Sequence, residues 1–277
     1  MMIKNRTTEP SFWELTRFFT PLALQAGSQA LTYPLVSMVA SHGPGGPLNL
    51  AGLAQANTVM FMLGTTAFGL VATGMVYARD RGGFEVFCGV TFRLALVVVA
   101  IQTLLGLDLP AHILFGKLIG LPPAIAKPAQ TALLGMVPLQ IGFFWRIPYQ
   151  VAMYNRYWTT RASSATILRI ILTGALTPLF CMFGWVGPIW AVICLTVPVG
   201  LEVLLSRWLA APALKELSNS AALLPTHKEL FLFNLPLSLS GYLLTFSSVI
   251  LGAFIARAPE PERILPIYYL ALGLATP

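Results

Sequence analysis

Long apolar runs follow one another along the chain, separated by short breaks of glycine, proline and charged residues, and the length of those runs decides the architecture. A hydrocarbon core about 30 Å thick needs about 20 helical residues per crossing, and windows of that length recur from end to end. The runs are continuous and do not alternate with period two, so they predict helices and not the roughly 10-residue strands of a membrane barrel. Spans are expected at roughly 12–40, 50–78, 86–107, 129–152, 163–183, 186–208 and 229–256, with an incomplete eighth from about residue 264. That last window holds about 14 residues before Pro277, or about 21 Å of helix, too short to cross unaided. The expected fold is all-α, a polytopic helical membrane protein.

The opening of the first span returns in the seventh. Pro21-Leu22-Ala23-Leu24 starts an apolar stretch that ends at Ser41-His42, and Pro236-Leu237-Ser238-Leu239 starts another that ends at Ala256-Arg257. Such a return predicts two homologous helical bundles around a central pathway, of which this chain carries one complete six-helix lobe and the start of a second. The expected units are a first lobe over 1–210, a cytoplasmic linker over 211–228, and the start of the second lobe over 229–277. Prolines at 34, 138, 148, 178, 198 and 236 fall within spans and mark expected kinks, because each removes a backbone donor.

Composition and charge set the compartment. Hydrophobic residues are 56% of the chain and charged residues 10%, with mean hydropathy +0.75, values that exclude a soluble domain of this length. The amino-terminal segment and loops two-three, four-five and six-seven hold Lys4, Arg6, Arg17, Arg79, Arg81, Arg156, Arg161, Arg207, Lys215 and Lys228, against Lys117, Lys127, Arg257 and Arg263 on the opposite side. This imbalance predicts a cytoplasmic amino terminus. The net charge of +7 is spread over separate loops, so no nucleic-acid partner is expected. Cys88, Cys181 and Cys194 lie in spans without CxxC spacing and read as packing residues.

Several stretches in order resemble a known family. Gly120-Leu121-Pro122-Pro123-Ala124-Ile125-Ala126 before a long fourth helix, Tyr154-Asn155-Arg156 through Thr160-Arg161, and Gly184-Trp185-Val186-Gly187-Pro188-Ile189-Trp190-Ala191 are similar to segments of multidrug and toxin extrusion (MATE) transporters. These belong to the multidrug, oligosaccharidyl-lipid and polysaccharide (MOP) flippase superfamily. A narrower likeness, to the progressive ankylosis branch, rests on Phe12-Trp13 to Arg17-Phe18-Phe19 and on Ala78-Arg79-Asp80-Arg81. The resemblance implies two six-helix lobes that rock about a central cavity, in a bacterial cytoplasmic (inner) membrane. Cation-coupled members carry a carboxylate in the first helix. Here that helix has Gln25, Ser28 and Gln29 and no acid after Glu14, which leaves proton or sodium as coupling ion open.

Ionisable residues inside spans are functional hypotheses, because burying a charge in a bilayer costs a few kcal/mol or more. Arg93, Arg146 and Arg169 qualify, and each also lies within reach of the interface by snorkelling. Arg146 is the strongest, flanked by Phe143, Phe144, Trp145 and Pro148 and followed one turn on by Gln150. Guanidinium groups pair with carboxylate or phosphate through two parallel donors, so these residues point to an anion. Gln25, Gln29 and Thr32 share one face of the first helix, and Asn57 lies in the second; both sets suit either substrate contact or interhelical hydrogen bonding. Glu202 reads as an interfacial group partly paired with Arg207. Asp108 and His112, at i and i+4, give only two ligands, so no metal site is expected.

No Walker-type run, nucleophile elbow or carboxylate pair is present, so neither an enzyme nor a cofactor is expected. The expected function is a secondary active transporter that exports a small anionic molecule by alternating access. The alternatives are a cationic multidrug antiporter, a lipid-linked precursor flippase, or a non-transporting fragment.

Overall fold

The computed structural model describes residues 12–29, 32–219 and 224–275. Helices α1 (Phe12–Gln29) and α2 (Thr32–Ser41) occupy the first expected span, and α3 (Pro47–Gly64) and α4 (Thr66–Tyr77) the second. The third is α5 (Arg81–Gly106). A short α6 (Asp108–Ala111) then continues into a π-helix, His112–Ile119. The fourth span is α7 (Pro123–Gly135) with α8 (Val137–Tyr154), followed by α9 (Thr159–Met182), α10 (Pro188–Lys215), α11 (His227–Ala256) and α12 (Pro261–Ala275). Among the described residues, five segments are long and apolar enough to cross a bilayer: Pro47–Tyr77, α5, α9, α10 and α11. The first and fourth expected spans are divided instead, and α8 carries Gln140, Arg146 and Gln150 along its length.

Local chemistry sets the helix ends. Pro47, Pro123, Pro188 and Pro261 open their helices, where a missing N–H costs nothing. The Asp80 carboxylate accepts from Gly83 N at 2.7 Å and starts α5. Thr226 and Glu229 form a reciprocal capping box at the start of α11. Of the expected proline kinks, Pro138 coincides with the break between α7 and α8, whereas Pro148, Pro178, Pro198 and Pro236 lie inside continuous helices. The α3–α4 break at Thr65 has no proline.

Helix α11 covers that break with a polar stripe. Asn234 Nδ2 and Ser238 Oγ each donate to Thr66 O at 3.3 Å, and Tyr242 OH lies 3.1 Å from Thr66 Oγ1. In a bilayer such side chains are what satisfies interrupted backbone. Helices α3 and α7 cross closely. A Cβ on Gly52 would come within 2.6 Å of Pro128 Cβ and 2.9 Å of Ala129 N, so the two backbones meet only because that position is bare.

The loops grouped by charge in the sequence share one end of the bundle. Arg81 N donates to Ser218 O at 3.1 Å, Asn155 Nδ2 to Ala78 O at 2.9 Å, and Arg156 Nη1 pairs with Glu216 Oε2 at 2.8 Å. At the other end Gly187 N donates to Val39 O at 2.9 Å, and Arg257 donates to the carbonyls of Lys117, Leu118 and Ile119. Those carbonyls close the π-helix and would otherwise lack partners.

Candidate functional site

Three charged side chains meet in the middle of the bundle. Glu202 lies halfway along α10, about 20 Å from either end at 1.5 Å per residue. Arg146 Nη1 donates to its two carboxylate oxygens at 3.0 and 3.1 Å, and Thr166 Oγ1 donates to Oε1 at 2.6 Å. Arg169 Nε lies 3.4 Å from Oε2, an ion-pair contact without hydrogen-bond alignment. The Glu202 side chain is 0% exposed, Arg169 6% and Arg146 18%. Helices α8, α9 and α10 thus bring two cations onto one anion, leaving one positive charge over.

The sequence expectation for Glu202 is corrected here. It is neither interfacial nor paired with Arg207, which is exposed. Five residues turn a helix by roughly 140° beyond a full turn, so the two side chains leave α10 on different faces. The expected end of the span at 208 also fell short of Lys215, which made Glu202 look closer to the surface than it is.

Both arginines line an open cavity of about 450 Å³ between α2, α3, α4, α8, α9 and α10. Asn57, Gln140 and Gln150 share its wall, and no Asp or Glu is among its lining residues. Five buried polar atoms on lining residues have no hydrogen-bond partner among the described residues: Thr32 Oγ1, Tyr33 OH, Arg146 Nε, Gln150 Nε2 and Arg169 Nε. Each is or can be a donor, so the wall offers N–H and O–H groups and asks for acceptors. Arg146 uses Nη1 on Glu202, while its Nε remains for a second partner.

The expected candidates divide clearly. Arg146, Arg169, Asn57 and Gln150 line the cavity together. Arg93 does not; it is exposed on α5, one turn beyond Gly89, which stands beside the His227 ring where α11 begins. That depth suits snorkelling along its stem. The side chains of Gln25 and Gln29 lie outside the described residues. Asp108 accepts from Gln130 Nε2 at 2.7 Å and lies 4.0 Å from Lys127 Nζ. Thr166, Tyr33 and Gln140 join the site without having been singled out in the sequence.

No protein-family model matches the sequence, and no curated protein matches it significantly. Solved structures do match. One is an inward-facing multidrug resistance MATE family transporter of the MOP superfamily, at 17% identity and TM-score 0.69, covering 93% of this chain and 60% of that one. A eukaryotic MATE transporter matches at 18% identity and TM-score 0.69, over 94% of this chain and 62% of its own. A MOP superfamily transporter from Pyrococcus furiosus, described as having a binding pocket of reverse polarity, matches at 18% identity and TM-score 0.63, over 94% and 62%. The chain has the fold of these integral membrane proteins and spans about 60% of their length.

Proposed function

We propose that this chain supplies the anion-recognising lobe of a secondary transporter that exports a small anionic molecule by alternating access. The observation that carries the reading is the donor-rich cavity wall, with Arg146 and Arg169 on it and no lining carboxylate. An incoming anion accepts from Arg146 Nε and Gln150 Nε2 while Glu202 holds the opposite side of the Arg146 guanidinium. The buried carboxylate keeps both arginines charged and oriented when no substrate is bound. A guanidinium already fixed in this way loses little side-chain entropy on binding. A cationic substrate would face a site with one positive charge over, which favours the anion over the multidrug alternative.

The fold likeness supports rocking of two lobes, with this cavity open alternately to each side. The basic loops at the Arg81, Arg156 and Glu216 end support a cytoplasmic face there, in a bacterial inner membrane. The test is flux in proteoliposomes containing the full protein, with a labelled organic anion and a drug cation run in parallel. The Arg146→Ala variant is expected to lose anion flux by about tenfold or more, since a hydrogen bond to a charged group is worth about 1.5–3 kcal/mol. Unchanged anion flux in the variant, or cation flux above anion flux in the parent, overturns the reading.

A further inference from the structure

We infer that the occupant of this cavity is an amphipathic organic monoanion with an aromatic body, its acidic group on Arg146 and its ring against Phe61 and Phe68. The inference rests on the anion reading above and narrows it in three respects: charge, size and shape.

Charge comes first. Two guanidiniums and one carboxylate leave a single uncompensated positive charge at mid-depth. One monoanion neutralises the cluster. A dianion reverses its sign in a low-dielectric interior, where uncompensated charge is costly. The stoichiometry of the cluster therefore selects a carboxylate or sulfonate over a doubly charged phosphate.

Size comes second. A cavity of about 450 Å³ falls in the range of small-molecule sites and is far larger than an inorganic anion needs. Shape is the third respect, because aromatic rings line the cavity next to the arginine. Arg146 Cζ lies 5.0 Å above the Phe143 ring, and Phe143 stacks on Phe61 with centroids 6.1 Å apart and planes 25° off parallel. Beyond that pair, Phe61 and Phe68 line the cavity while 39% and 56% exposed. Arg146 therefore stands beside aromatic surface, so one ligand can reach the guanidinium and the rings together. The Phe61–Phe143 gap is too close for a third ring to enter, so a ligand ring packs on the outer faces of Phe61 and Phe68. Aromatic contacts of this kind strengthen binding severalfold each beyond the area that they bury.

The experiment is calorimetric titration of the purified full protein in lipid nanodiscs with four probes: 2-naphthoate, acetate, inorganic phosphate and 2-naphthylmethylammonium. Naphthoate is expected to bind at least tenfold tighter than acetate or phosphate, and the ammonium compound not to displace it. Phe61→Ala should weaken naphthoate and leave acetate unchanged, whereas Arg146→Ala should weaken both. Phe61→Leu, which keeps the volume without the ring, gives the same direction should the alanine variant fail to fold. Acetate or phosphate binding as tightly as naphthoate overturns the aromatic body and leaves the anion reading standing. Tighter binding of the ammonium compound overturns both. Absence of naphthoate binding, or naphthoate affinity unmoved by Phe61→Ala and Arg146→Ala alike, overturns the inference.

Discussion

Replacing Glu202 by glutamine removes one charge from the centre of the bundle while keeping the side chain's size. In the parent protein the carboxylate sits 3.0 Å from Arg146 Nη1 and 3.4 Å from Arg169 Nε, with no exposed surface of its own. At an effective dielectric constant of 20, each contact is an attraction of about 5 kcal/mol before desolvation is set against it. Breaking a buried pair by removing one partner costs about 3–5 kcal/mol, because the remaining charge is stranded. The amide oxygen of glutamine still accepts from Thr166 and Arg146, so the loss belongs near the lower end, about 3 kcal/mol. For a chain of this size that corresponds to a melting temperature lower by roughly 6–12 °C. The assay is thermal unfolding in nanodiscs, with and without saturating organic anion. Glu202→Gln raises the uncompensated charge from one to two, so added anion should stabilise the variant more than the parent. A variant that melts within about 1 °C of the parent without anion would refute the claim that this cluster is buried and self-compensating.

Other perturbations test the frame around the site. Gly52→Leu places a side chain where a Cβ already meets Pro128 and Ala129, so overpacking should destabilise by about 1–3 kcal/mol, read as a lower melting temperature. Asn234→Leu leaves Thr66 O with Ser238 as its remaining side-chain donor, and hydrogen exchange should speed up around the α3–α4 break by an amount matching about 0.6–2 kcal/mol. Thr226→Ala removes the capping hydroxyl on Glu229 N at 3.2 Å, and amide exchange in the first turn of α11 should rise about fivefold, the equivalent of about 1 kcal/mol.

Much of the architecture was legible in run length and composition, because a bilayer demands satisfied backbone and apolar surface over a fixed distance. Helices α5, α9 and α11 begin and end within about five residues of their expected positions, and the loops after the second, fourth and sixth spans meet at one bundle end. Breaks within spans were less legible. Pro138 announces its own, but the Thr65 break has only Gly64 and two threonines, and the Leu63 carbonyl before it accepts from Tyr242 OH, 179 residues further on. Arg146, Arg169, Asn57 and Gln150 were found because charged or amide groups at membrane depth need a reason. Glu202 carried the same signal and was misassigned, since its partners lie on α8 and α9 and sequence neighbours offered only Arg207. Pairings across helices leave no mark on local spacing. Thr32 was already marked by its place on the first helix's polar face, whereas Tyr33 becomes a site residue only when α2 joins the cavity wall.

The position of a bound anion is the most direct test of the central claim. Crystals of the protein grown with a bromine-substituted aromatic carboxylate, measured at the bromine absorption edge, should show an anomalous peak inside the cavity bounded by Arg146, Arg169 and Phe61. Peaks confined to surface cations such as Arg93 or Arg257, with none in the cavity at saturating ligand, would contradict the account.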